Sequence, residues 1–234
     1  MATKDTNCFH KTTHVIFDLD GTLMDTERIY TEVFKELVEK FGFELTESIE
    51  RKYLGLSCSV ACEVLLKELE LPTTHEVLLK DFRKLSLEKL QNSTLCAGAE
   101  RLMRHFHSHN IPMAIATNSE SEAAKIKVSL YQELFGLIHH MVTVNDVTKG
   151  KPSPDIYLLA MKKFPDRPKA GSCLVFEDSP TGMKAALAAE MQCVFINAQN
   201  NDAATLNIKT LNEFQPELFG MPPITDVKKP IKKN

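Results

Sequence analysis

At 234 residues, 43% hydrophobic and 25% charged, the chain is long enough for one large domain or a core domain carrying a smaller insert. A formal net charge of -3 argues against nucleic acid as the partner, and no apolar run approaches the roughly 20 residues that cross a membrane. Six cysteines lie scattered without the paired spacing of a metal site, which predicts free thiols in a reducing, cytoplasmic setting.

Residues 1–13 are polar, lack the apolar middle of a signal peptide and read as a loose arm. The run Val15-Ile16-Phe17 then ends in Asp18, with Asp20 two residues later and Gly21-Thr22 behind it, as in a buried strand entering a loop. Extended backbone puts Asp18 and Asp20 on one side of the strand end. Two carboxylates held together there repel, and a divalent cation between them relieves the repulsion. Magnesium suits the oxygen ligands. The plain alternative is an acidic turn, since Asp and Gly are ordinary turn residues.

Thr26 can cap a helix reaching about Phe41, with Ile29, Val33, Phe34, Leu37, Val38 and Phe41 as its apolar stripe. Helical pieces are predicted over about 46–54, 58–69 and 74–91, broken at Gly55 and Leu71-Pro72. From Leu95 the pattern alternates. Helix is predicted over 98–109, 121–131, 155–164 and 181–190, and strand over 113–116, 140–144, 172–176 and, last, 193–196. Such alternation implies a parallel sheet with helices on both faces, in which ligands collect at the carboxyl ends of the strands. The reading is a Rossmann-like α/β core (14–24 and 93–225) with an inserted α-helical cap (25–92) and a lysine-rich tail (226–234).

Three further strand ends carry candidate residues. Thr117-Asn118-Ser119 offers a hydroxyl and backbone N–H groups to a phosphate oxygen, though a Thr cap on the next helix explains the same residues. Lys151 lies in Gly150-Lys151-Pro152, a restrained loop suited to aiming a point charge at phosphate; Lys149 is its rival. Glu177-Asp178, after Leu174-Val175-Phe176, is a poor place for two acids unless a cation sits there.

The four stretches, in this order, resemble the motifs of the haloacid dehalogenase superfamily in its helical-cap form. The resemblance covers about residues 14–220. It implies that Asp18 is a nucleophile taking up phosphoryl and that Asp20 is the general acid and base, lending its backbone carbonyl to Mg²⁺. It further implies that Thr117, Asn118 and Lys151 bind phosphate, that Asp178 ligates the metal, and that Glu177 ligates it directly, through water, or orients it. Asp25-Thr26-Glu27-Arg28, the segment Cys173 to Pro180 and the segment Phe214 to Pro222 are similar to the animal pseudouridine-5'-phosphatase group. Asn118, where that group carries a small hydroxyl residue, and a shortened loop before Lys151 depart from it.

The resemblance implies an Mg²⁺-dependent phosphomonoester hydrolase acting through an aspartyl-phosphate on a small nucleotide-like monophosphate such as pseudouridine 5'-phosphate. The cap would close over the site, with Glu27, Arg51, Lys52 and the turn Tyr53-Leu54-Gly55 near the substrate. A monomer or weak dimer is expected, with neither nucleic acid nor membrane as partner. The alternatives are a phosphatase of sugar or isoprenoid monophosphates, a phosphomutase of the β-phosphoglucomutase type, and a non-catalytic binding protein on the same fold. The intact acid set counts against the last.

Overall fold

The computed structural model describes residues 9–53 and 56–224. At its centre lies β1 (His14–Phe17), every residue of which is buried. Val15 and Phe17 point to one face of the sheet and Ile16 to the other, as strand alternation requires. The chain next forms β2 (Met24–Asp25), which pairs antiparallel with β3 (Thr94–Leu95). Between these two short strands runs the helical insert. The strands β4 (Met113–Thr117), β5 (His140–Thr143), β6 (Cys173–Glu177), β7 (Gln192–Ile196) and β8 (Leu206–Ile208) join β1 in one six-stranded parallel sheet of order β5-β4-β1-β6-β7-β8.

Helices cover both faces, so the fold is α/β. One apolar layer joins Phe17, Phe106, Phe176 and Phe214, with helix α5 (Ala99–Ser108) supplying Leu102, Met103 and Phe106. The opposite layer joins Ile16, Ala114, Val175 and Cys193 to α8 (Asp155–Lys163) and α9 (Pro180–Ala188) through Tyr157 and Met183. The remaining core helices are α6 (Ser121–Ser129) and α7 (Gln132–Phe135).

The insert contains α1 (Glu27–Glu39), α2 (Glu47–Tyr53), α3 (Cys58–Leu69) and α4 (His75–Lys89). They enclose a separate apolar cluster around Val33, Phe34, Leu37, Cys62, Leu65, Leu78 and Phe82. Ser57 and Thr74 cap α3 and α4 by accepting from Val60 N and Val77 N.

Three features differ from the sequence reading. Strand β8 follows the strand expected to be last; it has three residues, too few to show alternation. Residues 9–13 are not loose. Phe9 packs on Phe219 with ring centroids 4.6 Å apart, and Thr12 N and Thr13 N donate to Phe219 O and Ser172 O, each at 2.9 Å. Thr26 precedes α1 but makes no capping bond; its hydroxyl is turned to Asp20. Residues 1–8 of the expected arm, Leu54-Gly55 of the expected substrate turn and the 226–234 tail lie outside the described residues.

Candidate active site

The sheet register gathers the candidate residues. Phe17 pairs with Ile115 on one side and Phe176 on the other, so Asp18, Thr117 and Glu177 emerge together at the carboxyl ends of β1, β4 and β6. Asp18 N donates to Phe176 O at 2.9 Å, which carries the ladder one residue past β1 and fixes where its side chain starts.

Asp18, Glu177 and Asp178 form one cluster, with ligand oxygens within 4.8 Å of one another. Lys151 Nζ lies 2.5 Å from Asp18 Oδ1 and 2.5 Å from Glu177 Oε1. Glu177 is fully engaged: Tyr157 Oη donates to Oε1 at 2.8 Å, while Ser179 N and Oγ donate to Oε2 at 3.0 Å. Asp178 receives Thr22 Oγ1 at 3.2 Å. Two glycines allow this crowding. A Cβ on Gly21, whose φ is +74°, would collide with the Asp178 carboxylate, and one on Gly182 would collide with that of Glu177.

Three carboxylates, those of buried Asp18 and Glu177 and half-buried Asp178, face one ammonium here. Burial, with the charges of Glu177 and Asp20, pushes the Asp18 carboxyl up to about 7 in spite of Lys151. Burial and the charges of Glu177 and Asp18 likewise push Asp178 well up. Lys151 is held above its ordinary value, because Asp18 and Glu177 outweigh the effect of burial. An all-oxygen cluster with this surplus of negative charge fits a hard divalent cation, which would reverse the repulsion.

Asp20 lies two residues from Asp18 in different surroundings. Its Oδ1 accepts from Thr26 Oγ1 at 2.6 Å and its Oδ2 from Ser119 Oγ at 2.6 Å and Thr117 Oγ1 at 3.4 Å. Lys127 Nζ, on α6, reaches both oxygens at 2.6 and 2.7 Å. Burial favours the protonated Asp20, but the Lys127 ammonium and the hydroxyl bonds outweigh it and hold the carboxyl below its ordinary value. The Asp20 carboxylate is thus engaged by these donors and lies outside the acid cluster, while the group of Asp20 expected at the metal is its backbone carbonyl.

The Asn118 side chain has a use besides the backbone N–H expected to meet phosphate. Its Oδ1 accepts from Lys151 N at 2.9 Å and its Nδ2 donates to Lys151 O at 3.3 Å, so its side chain holds the lysine loop. Lys149 is exposed. The sequence reading missed Lys127, although a signal existed: it lies three residues after buried Ala124 on the inward face of α6, where an apolar residue belongs.

The acids open into a chamber between core and insert. Tyr30, Phe34, Tyr53 and Phe82 form an aromatic wall, and Glu27, Thr31 and Ser57 line the same chamber. Arg51 is engaged with Glu47 at 2.7 Å and Lys52 with Glu68 at 2.5 Å; neither lines the chamber. Arg83 of α4 bridges to Glu120 of the core.

The model of the haloacid dehalogenase-like hydrolases matches residues 15–196. The chain belongs to this family. Among its relatives, a probable pseudouridine-5'-phosphatase of Drosophila melanogaster is 37% identical over 224 residues, covering 92% of this chain and 97% of that protein. The (DL)-glycerol-3-phosphatase 2 of Arabidopsis thaliana is 36% identical, covering 92% and 93%. A solved structure, that of a putative β-phosphoglucomutase from Thermotoga maritima, superposes with a TM-score of 0.68 at 26% identity over 89% of this chain and 97% of that one. The family match ends at Ile196, so β8 and the segment to Ile224 lie beyond it.

Proposed function

We propose that this protein is a phosphomonoester hydrolase that works through an aspartyl-phosphate on Asp18. One observation carries the reading: Asp18 and Asp20 are adjacent in space and opposite in environment. Asp18 faces the chamber among acids and Lys151, while Asp20 is held by four donor side chains. Two carboxyl groups whose surroundings separate them suit two roles, nucleophile and proton carrier.

In the first step the ionised Asp18 carboxylate attacks phosphorus, the bond from phosphorus to the leaving oxygen breaks, and that oxygen takes a proton from Asp20, which must first gain it from solvent because Lys127 holds the resting carboxyl ionised. In the second, Asp20 takes a proton from water, the water oxygen bonds to phosphorus, and the bond to Asp18 breaks, releasing phosphate. Lys151 supplies positive charge beside the attacked group. Asp18 and Asp178 would hold Mg²⁺ with Glu177, whose oxygens are already engaged, orienting the site; the backbone carbonyl of Asp20 is a further donor. The bound ion supplies charge neutralisation at the phosphoryl oxygens. Thr117 and the backbone N–H of Asn118 would bind phosphate, while the Ser119 N–H donates to Thr117 Oγ1 at 3.0 Å and holds that hydroxyl in place.

The lining of the chamber supports a reading of the substrate class. Among the described lining residues Lys151 is the one cation, and Asp18 and Glu177 already engage it. A leaving group with a second phosphate or carboxylate finds no counter-charge there. Aromatic walls edged by Thr31, Ser57 and Glu27 suit a neutral, ring-bearing, hydroxylated group, as in a nucleoside monophosphate such as pseudouridine 5'-phosphate. A phosphomutase of the β-phosphoglucomutase type must retain a bisphosphate, which disfavours that reading.

Phosphate release from pseudouridine 5'-phosphate, uridine 5'-phosphate, glycerol 3-phosphate, sugar phosphates and isoprenyl phosphates, with Mg²⁺ and with EDTA, tests the proposal. An EDTA-sensitive preference for nucleoside monophosphates that Asp18→Asn abolishes supports it. Turnover by Asp18→Asn at the normal rate, or an isomerised sugar phosphate as the main product, overturns it.

A further inference from the structure

Lys127 is fully buried, and its ammonium has no solvent around it. A buried ammonium is costly unless it is paired and its remaining hydrogens are satisfied. Here it bridges both oxygens of Asp20, lies 2.6 Å from Ser119 Oγ and reaches Tyr30 Oη on the insert at 3.1 Å. The ring of Tyr30 lies below it, with Nζ 5.6 Å from the centroid. One ammonium has three hydrogens, so these partners exhaust it.

The arrangement has a mechanical consequence. A carboxylate held at one oxygen can swing about its Cβ–Cγ bond, whereas one bridged at both oxygens by a single charge is fixed in plane as well as position. Ser119 and Thr26 add one bond to each oxygen and leave that plane defined. The same charge reaches α1 through Tyr30, which lines the substrate chamber. Tyr30, Lys127 and Asp20 are therefore joined in one contiguous chain of contacts from the chamber wall on the insert to the core. The phosphate-handling Lys151 takes no part in it.

We infer that Lys127 is a positioning residue that orients Asp20 for proton transfer to the leaving oxygen, and that Tyr30 couples this orientation to the insert. The inference rests on the aspartyl-phosphate reading above. Lys127 acts through Asp20 and not on phosphate, so its loss weighs on the step in which the leaving group needs a proton. General acid–base catalysis is worth about 100- to 10,000-fold, and misplacing the acid forfeits part of that.

The test compares kcat on p-nitrophenyl phosphate, whose leaving group departs without a proton, with kcat on an alkyl phosphomonoester, glycerol 3-phosphate or pseudouridine 5'-phosphate. In Lys127→Met the alkyl-to-aryl ratio falls at least about tenfold. In Tyr30→Phe it falls by a smaller factor, with KM read separately because Tyr30 lines the chamber. With Asp20→Asn already present, the Lys127→Met loss fails to multiply. A loss that is merely structural lowers both substrates alike and leaves the ratio unmoved, which overturns the inference; so does full multiplication of the two losses. If Lys127→Met does not fold, Tyr30→Phe decides: an unchanged ratio overturns the inference, and a fall that vanishes beside Asp20→Asn upholds it. A wild type that releases no phosphate from either substrate removes the underlying phosphatase reading, whereas an active wild type with an unmoved ratio in the variants removes only the role of Lys127.

Discussion

Asn118 clasps the backbone of Lys151 from both sides, accepting from its N–H at 2.9 Å and donating to its carbonyl at 3.3 Å. The clasp joins the end of β4 to the loop before α8 and so sets the height at which Lys151 enters the acid cluster. Gly150 is part of it, since a Cβ there would come within 2.6 Å of Asn118 Oδ1. Asn118→Ala removes both bonds and leaves two backbone groups to find other partners. The expected cost in stability is about 1–3 kcal/mol. Activity should fall more than that loss explains, through kcat, because the displaced ammonium neutralises charge less well. Urea unfolding alongside kcat and KM checks this; a rise in KM alone would say that the side chain only binds ground-state phosphate.

Asp178 tests the metal reading without any measurement of activity. In the metal-free protein its charge adds to those of Asp18 and Glu177, and burial makes the repulsion worse. Asp178→Asn relieves it, so the metal-free variant should melt higher than metal-free wild type. With Mg²⁺ at 100 times its dissociation constant, wild type gains about 2.7 kcal/mol by mass action, and the variant should gain far less. Thermal unfolding in EDTA and across a magnesium titration reads both effects. Equal magnesium responses in the two proteins would remove Asp178 from the ligand set.

Much of this architecture is legible in the sequence, because the strands that build the site are fully buried runs ended by Asp, Thr or Glu. Asp18, Thr117 and Glu177-Asp178 stand out for that reason, as polar groups at the ends of apolar strands, and Lys151 stands out through its Gly150-Lys151-Pro152 loop. Lys127 did not, since a lysine in a helix reads as solvated until the helix is seated against the sheet. Asn118 and Thr26 show a second limit. Each has a local explanation, phosphate ligand and helix cap, while their actual partners, Lys151 and Asp20, are fixed by tertiary register. Strand β8 and the β2–β3 pair are too short for periodicity to mark.

Tyr53 separates stability from recognition. Its hydroxyl is buried and, among the described residues, makes no well-formed hydrogen bond, with Thr31 as its polar neighbour, yet the residue lines the chamber. Tyr53→Phe removes an unsatisfied polar atom, which should stabilise the protein by up to about 1 kcal/mol. If that hydroxyl serves the polar edge of a substrate, KM for the nucleoside monophosphate rises while KM for p-nitrophenyl phosphate stays level. A melt and two Michaelis curves check it; equal KM values for Tyr and Phe would leave the hydroxyl outside recognition.

Acid sensitivity should come from histidines far from the acids. Burial lowers the pKa of His14 against the raising influence of Asp166, and burial likewise lowers His105 and His140. His14 is neutral in this setting, with Thr13 Oγ1 at 2.8 Å from Nδ1 and Asp166 Oδ1 at 3.0 Å from Nε2. Each group has a folded pKa below its ordinary 6.5, so between those two values the unfolded chain binds more protons than the folded one. These three histidines therefore make stability rise with pH through that window, each by at most about 1.4 kcal/mol per pH unit, while the raised carboxyls of Asp18 and Asp178 work the other way in the metal-free protein, so the difference between wild type and a variant of the His14 pair isolates the histidine part. Asp166→Asn takes away the one carboxylate that supports a charged His14, lowers its folded pKa further and should steepen the loss. Urea midpoints at pH 7.5, 6.5 and 5.5 in wild type and Asp166→Asn give the test. A variant that lost less stability on acidification than wild type would mean that Asp166, not burial, governs His14.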